Sequence, residues 1–386
     1  MLRKQLGSGP FKWFIAIFAV IFIALFIFTF FNEKFYNIPI GQIESIEHQQ
    51  TKQLNDERNN KDTQHDEILT IKILNGQFEG ETTHLKHSYV ESQADSEQYH
   101  ENNKVLLHMD KSPSDAYIIE QKRDSLIVAV IGIFLITLLV VGRKVGLQSI
   151  ISLILNTLAV LIAIYINTLN SNINLFLLMC GAVVISTIIT LLLVTGWHTR
   201  TLVTIVSILL GTFICIGITQ LVIVLTGGEG LKYETMDFLT MPPTEVFLAS
   251  VLIGSLGAVM DVAITIASGM YEILRRNPNI SLTRWALAGR NIGQDIMGTM
   301  TNILLFSYLS GSLPMILVYL KNENTITYTI SMNWSLEIAR AITGGIGIVL
   351  TIPITILLMQ LWFKWRGERV WVCLLYTSDA ADDLLC

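Results

Sequence analysis

Charge is scarce in this chain of 386 residues: 15% are Asp, Glu, Lys or Arg, against about 25% in an ordinary soluble domain. That shortage argues against a soluble enzyme. The 52% of hydrophobic residues come in long uncharged runs, which is the pattern of membrane-spanning helices. Cysteine is also rare, with four in all. Cys180 and Cys215 lie in apolar segments, where a small buried hydrophobe is the expected role. The polar part of the chain has none, so no disulfide framework holds it. Walker A, paired-cysteine and His-Glu-x-x-His motifs are missing too, which argues against ATP-driven pumping by this chain alone and implies no cofactor.

What charge there is divides unevenly. The formal net charge is −5, but residues 32–125 hold 18 acidic against 10 basic residues. The chain thus reads as four parts: an N-terminus and anchor helix over 1–31, a β-rich domain over 32–124, a seven-helix membrane domain over 125–372, and a tail over 373–386. The tail, Cys373-Leu-Leu-Tyr-Thr-Ser-Asp-Ala-Ala-Asp-Asp-Leu-Leu-Cys386, resembles translated sequencing adapter and is expected to be an artefact.

Crossing ~30 Å of hydrocarbon takes roughly 20 helical residues, and eight segments match: Trp13–Phe31, Ser125–Gly142, Leu147–Ile166, Leu175–Thr195, Leu202–Thr226, Val246–Ala267, Asn291–Leu320 and Ala341–Phe363. With the N-terminus inside, thirteen basic residues fall on the cytoplasmic side and three, Lys232, Lys321 and Arg340, in short outer loops. The positive-inside rule then places both termini in the cytoplasm and residues 32–124 outside the cell. The expected fold is an all-α polytopic membrane protein of about eight transmembrane helices, with a small extracellular β domain between the first and second.

Within the insert, Ile40–Ile46, Glu67–Leu74 before Asn75-Gly76, Lys104–Met109 and Ala116–Glu120 read as strands of a barrel-like domain. The polar stretches 48–66 and 91–103 read as mobile loop. Six of seven histidines lie here. His84-x-x-His87 is a weak metal candidate, set against solvated histidines as the plainer reading.

Ionisable groups inside spans cost roughly 2.5–3.5 kcal/mol on insertion scales and mark pathways, relays or pairing sites. Asp261, Thr265, Ser268 and Glu272 have helical offsets 0, 4, 7 and 11, and Asn291, Asp295, Gly298 and Asn302 repeat them on the next span. Each set shares one helix face, so the two antiparallel spans could form a polar seam. The alternative is that the aspartates glue helices through Thr, Ser and Asn. Small residues support close packing: Ser250, Gly254 with Gly257 and Ala258, Gly289 with Gly293, and Ala341 with Gly345. Gly344, Gly345 and Pro353, and Gly311 to Pro314, are expected to break or kink their helices. Asn277-Pro278 and Ser281–Trp285 read as a turn and a short capped interfacial helix.

Gly254–Ile273, and above all Gly289-Arg-Asn-Ile-Gly-Gln-Asp-Ile-Met-Gly-Thr-Met-Thr-Asn302, resemble the YibE/F-like family of bacterial multi-pass membrane proteins over roughly residues 120–370. The resemblance implies a polytopic plasma-membrane protein of the kind found in low-GC Gram-positive bacteria, with Asp261, Asn291, Asp295 and Asn302 at motif positions. The tail beyond Val372 departs from that pattern. The leading functional expectation is a permease or channel coupled to protons or cations. In it, Asp261 and Asp295 bind the ion while Asn291, Asn302, Thr265 and Ser268 supply neutral ligands. The alternatives are an envelope assembly, scaffold or sensor protein working through the β domain, and an intramembrane aspartyl protease. Expected partners are the bilayer, a proton, cation or small solute, and a second copy or related membrane protein. Nothing suggests nucleic acid.

Overall fold

A computed structural model describes residues 9–55, 60–93, 96–109, 112–170, 173–236 and 241–366. Arg3, Lys4, Asp237, Arg369 and the tail 373–386 lie outside them. The elements are α1 Gly9–Phe28, β1 Ile40–Asn55, β2 Lys61–Ile73, β3 Thr82–Val90, β4 Lys104–His108, β5 Tyr117–Gln121, α2 Asp124–Leu169, α3 Leu175–Thr195, α4 Thr199–Thr226, α5 Pro243–Arg276, α6 Leu282–Lys321 and α7 Ile326–Arg366. Among the described residues, seven helices are long and apolar enough to cross a membrane. The chain forms two compact units that part after residue 147.

In the first unit the strands make one antiparallel sheet in the order β3-β2-β1-β4-β5. Alternation along β2 turns Leu69, Ile71 and Ile73 inward onto Ile43, Leu85, Val105 and Leu107. Each such burial contributes roughly 1.5–3 kcal/mol. The barrel expected from the sequence is incomplete: β3 and β5 are not paired with each other. Both line one cavity of about 780 Å³, and Thr83 Oγ1 of β3 donates to Pro113 O, in the turn before β5, at 2.6 Å.

Two local readings are corrected. Residues 48–55 and 61–66, expected as loop, form a two-stranded ribbon paired through to Asn55 opposite Lys61, with Lys52 and Asp66 joined across it at 2.9 Å. Polar side chains on both faces erase the alternation that marks a half-buried strand, while the backbone ladder holds regardless. Thr82–Val90 is a fifth strand absent from the sequence reading. Between β2 and β3 the chain turns through 74–81. Asn75 organises the turn: its Oδ1 accepts from Ile40 N at 2.6 Å, and its Nδ2 donates to the carbonyls of Glu33, Tyr36 and Ile38.

The sheet is tied to the ends of α1 and α2. Lys122 donates to Thr29 O at 2.5 Å and to Asp124, which also accepts from Asn32 and Tyr36. Lys104 pairs with Glu33. Burial opposes ionisation of Glu33, but the Lys104 bond and charge outweigh it and hold that carboxyl below the usual range.

In the second unit, α3 starts at an Asn174 cap that accepts from Leu177 N at 3.1 Å, and α4 ends at left-handed Gly227. Helix α5 contributes to two cores. Its Leu252, Leu256, Val259 and Ala263 join Met179, Val183, Ile208 and Ile216 of α3 and α4, while Val262, Ile266 and Met270 join Trp285, Ile348 and Ile352 of α6 and α7. Ser281 caps α6, accepting from Arg284 N, so the expected interfacial helix is the first turn of α6 itself. The expected breaks are absent as well: α6 runs through Pro314 and α7 through Gly344, Gly345 and Pro353. Helix backbone in a packed bundle tolerates one lost proline bond. The one non-helical residue inside a described helix is Arg143 in α2, at φ 51° and ψ −125°.

Candidate functional site

Antiparallel α5 and α6 are held together where glycine lets them approach. A Cβ on Gly254 would collide with the Tyr308 hydroxyl, and one on Gly269 would lie 2.6 Å from Ile292 Cδ1. Trp285 Nε1 donates to Met270 O at 2.8 Å. These contacts fix the register. Gly254 is level with Tyr308 and Gly269 with Ile292, so Asp261 is level with about residue 300. It therefore sits some five residues, ~7.5 Å along the axis, from Asp295.

Both helices also pack on α7, α5 through Val259 near Gly347 and α6 through Gly293 near Ile352. Asp261 follows Val259 by two positions, and Asp295 follows Gly293 by two. At about 100° per residue each aspartate points roughly 200° away from α7. The two stripes therefore share one flank of the α5–α6 pair. Asp261, Thr265, Asn291, Gln294, Asp295, Gly298 and Asn302 are all exposed there. Ser268 is half-buried and borders a narrow gap beside Thr195, Arg200, Thr201 and Thr204. Glu272 stands apart, paired with Arg275 and Arg276 at 3.2 and 2.8 Å. The Thr265 hydroxyl donates to the Asp261 backbone carbonyl at 2.8 Å. Among the described residues, neither aspartate side chain takes part in an ion pair or accepts a hydrogen bond.

The glycines divide by role. Gly254 is a contact point, and a Cβ on Gly344 would lie 2.8 Å from Leu304 Cδ1 and one on Gly345 3.3 Å from Thr301 Cγ2. Gly257 and Gly298 have nothing within 4 Å of a built Cβ, which leaves open space along the polar flank.

His84 and His87 differ by three in a strand whose side chains alternate. His84 is exposed and meets Thr70 Oγ1 at 3.1 Å, while His87 turns inward and meets Glu97 O at 2.7 Å. Among the described residues no group of three or more His, Cys, Asp or Glu is arranged to hold a metal.

Two polar clusters were missed in the sequence. Because α7 begins at Ile326, Glu337 and Arg340 belong to a helix instead of an outer loop. They pair, and Arg340 Nε donates to Ser250 Oγ at 3.0 Å. Their i, i+3 spacing is the signal that could have revealed the pair. In α2 and α3, Ser152 and Asn156 meet Thr190 Oγ1 at 2.8 and 2.9 Å. Uncharged polar residues in an apolar run gave no comparable warning.

No curated protein and no solved structure matches the chain. Two family models do: the YibE/F family N-terminal domain over residues 34–121, which takes in the whole sheet, and YibE/F-like protein over residues 130–365, which takes in the polar flank. The second alone spans more than half of the chain, and the protein belongs to the YibE/F-like family.

Proposed function

We propose that the protein is a plasma-membrane permease or channel coupled to protons or cations, with the polar flank of α5 and α6 as its pathway. One observation carries this reading: two carboxylates stand exposed in the bodies of apolar helices with no partner among the described residues. Helix glue requires bonds that Asp261 and Asp295 do not make. The ~7.5 Å axial step does not favour a dyad sharing one proton, so it does not favour the protease. Asp261 and Asp295 hold the ion, Asn291, Asn302, Thr265 and Ser268 supply neutral ligands, and a second copy or related membrane protein closes the flank. The substrate class is a proton, cation or small solute.

The topology in this proposal has eight crossings. At the helical rise, the 46 residues of α2 extend ~69 Å, twice the hydrocarbon thickness. The non-helical Arg143, followed by Lys144, divides them into two spans. With basic residues inside, both termini are cytoplasmic and the sheet is extracellular. Bacterial origin belongs to the same proposal.

In proteoliposomes, Asp261→Asn and Asp295→Asn each abolish ion-coupled flux while yield and melting temperature stay unchanged; wild-type flux in both variants rules the pathway out. The scaffold or sensor reading is favoured by a different observation, the cavity between the unpaired β3 and β5. It predicts that deleting residues 48–110 removes the cellular phenotype while the membrane aspartates tolerate replacement.

A further inference from the structure

The register of the sheet puts His48, Glu67 and His87 in one row across β1, β2 and β3. Paired residues of adjacent strands point to the same face. Here that face is the interior, because Glu67 continues the inward series of Leu69, Ile71 and Ile73. The Glu67 side chain is 1% exposed, and its Oε2 lies 3.6 Å from Nδ1 of His48, which is 71% exposed. Its Oε1 is buried with no hydrogen-bond partner. A fully ionised carboxylate does not rest in such a place without compensation.

The surroundings are titratable from every element packed there. His48 comes from β1, His65 from β2, and His87 and Tyr89 from β3. Tyr99, whose ring lies 4.7 Å from that of His87, and His100 come from the connection to β4. Burial is the largest influence on Glu67 and raises its carboxyl above the usual range against the opposing pull of His87, His48, His65 and His100. Tyr89 is raised by burial and by the Glu67 charge.

We propose that Glu67 is a proton-binding site in the interior of the sheet, reached from solvent through His48, and that its occupancy sets how tightly β1, β2 and β3 are held together. The protonated acid removes the buried charge and lets Glu67 itself donate a hydrogen bond, which the carboxylate cannot do. The domain thereby reports the acidity of the compartment it faces. The proposal is independent of transport through the membrane.

The sign follows from linkage. A carboxyl with a raised pKa in the fold binds its proton more tightly folded than unfolded, so a destabilising contribution is present above the folded pKa. It fades as pH falls through that value and is gone below about 4.5. Hydrogen exchange of β2 and β3 amides, measured on the full chain in lipid nanodiscs and corrected for intrinsic rates, reads this directly. Wild-type protection rises several-fold from pH 8 to pH 5. In Glu67→Gln it is flat across that range and at least equal to wild type at pH 8. Infrared difference spectra of the wild type at pH 5 show a protonated carboxylic-acid carbonyl that Glu67→Gln lacks, a readout that holds even if the variant folds poorly. Equal slopes in both proteins, or no acid carbonyl, overturn the proposal. So does protection lost from Glu67→Gln only at acidic pH, which marks an ion pair with histidinium, or a slope abolished by EDTA, which marks a metal.

Discussion

Single side chains carry more of this fold than their polarity suggests. Asn75 is 4% exposed and makes four bonds to the backbone of residues 33–40, tying the 74–81 turn to the chain entering β1. Asn75→Ala leaves the buried Ile40 N–H without its acceptor and is expected to cost about 3 kcal/mol; exchange protection of residues 40–46 and 68–73 falls accordingly. The Arg340–Glu337 pair, with side chains 16% and 21% exposed, follows the rule that breaking a buried pair costs more than removing it whole. Arg340→Gln is expected to destabilise by about 2 kcal/mol, and Glu337→Gln on top of it restores part of that loss, measured by thermal unfolding in micelles.

At the scale of elements, hydrophobic pattern was readable wherever one face is buried and the other is not. Glu67–Ile73, Lys104–His108 and the cores of the helices all obey it. It failed for the ribbon 48–55 with 61–66, where both faces are polar, and for β3, whose His, Lys, Thr and Ser outnumber its inward Leu85 and Tyr89. Helix interruptions depend on context in a related way. Gly344, Gly345 and Pro353 weaken an isolated helix, but α7 is packed on α4, α5 and α6, and tertiary contact decides. The stripes on α5 and α6 were legible as faces, since offsets of 0, 4, 7 and 11 allow one answer. Which way the faces point required the contacts with α7. Gly254 shows the packing at its tightest: Gly254→Val drives a side chain into Tyr308 and separates α5 from α6, and the melting temperature drops by several degrees. Gly298→Val, with open space around it, leaves the melting temperature of the monomer unchanged. It lowers flux and self-association together if a second copy closes the flank.

The number of crossings decides what the whole molecule presents to each side of the membrane, and it turns on α2. Eight crossings put the loop between α4 and α5 outside and the Arg275–Arg284 turn inside. A single crossing by α2 reverses both and exports the four arginines at 275, 276, 284 and 290, against the positive-inside rule. Glu229 and Arg284 are exposed and lie on these opposite segments, so they make a matched pair of probes. In a background with the native cysteines replaced by serine, Glu229→Cys is expected to react with an impermeant maleimide in intact cells and Arg284→Cys only after permeabilisation. The reverse pattern rules out the two-span reading of α2, and with it the cytoplasmic placement of the Arg275–Arg284 turn.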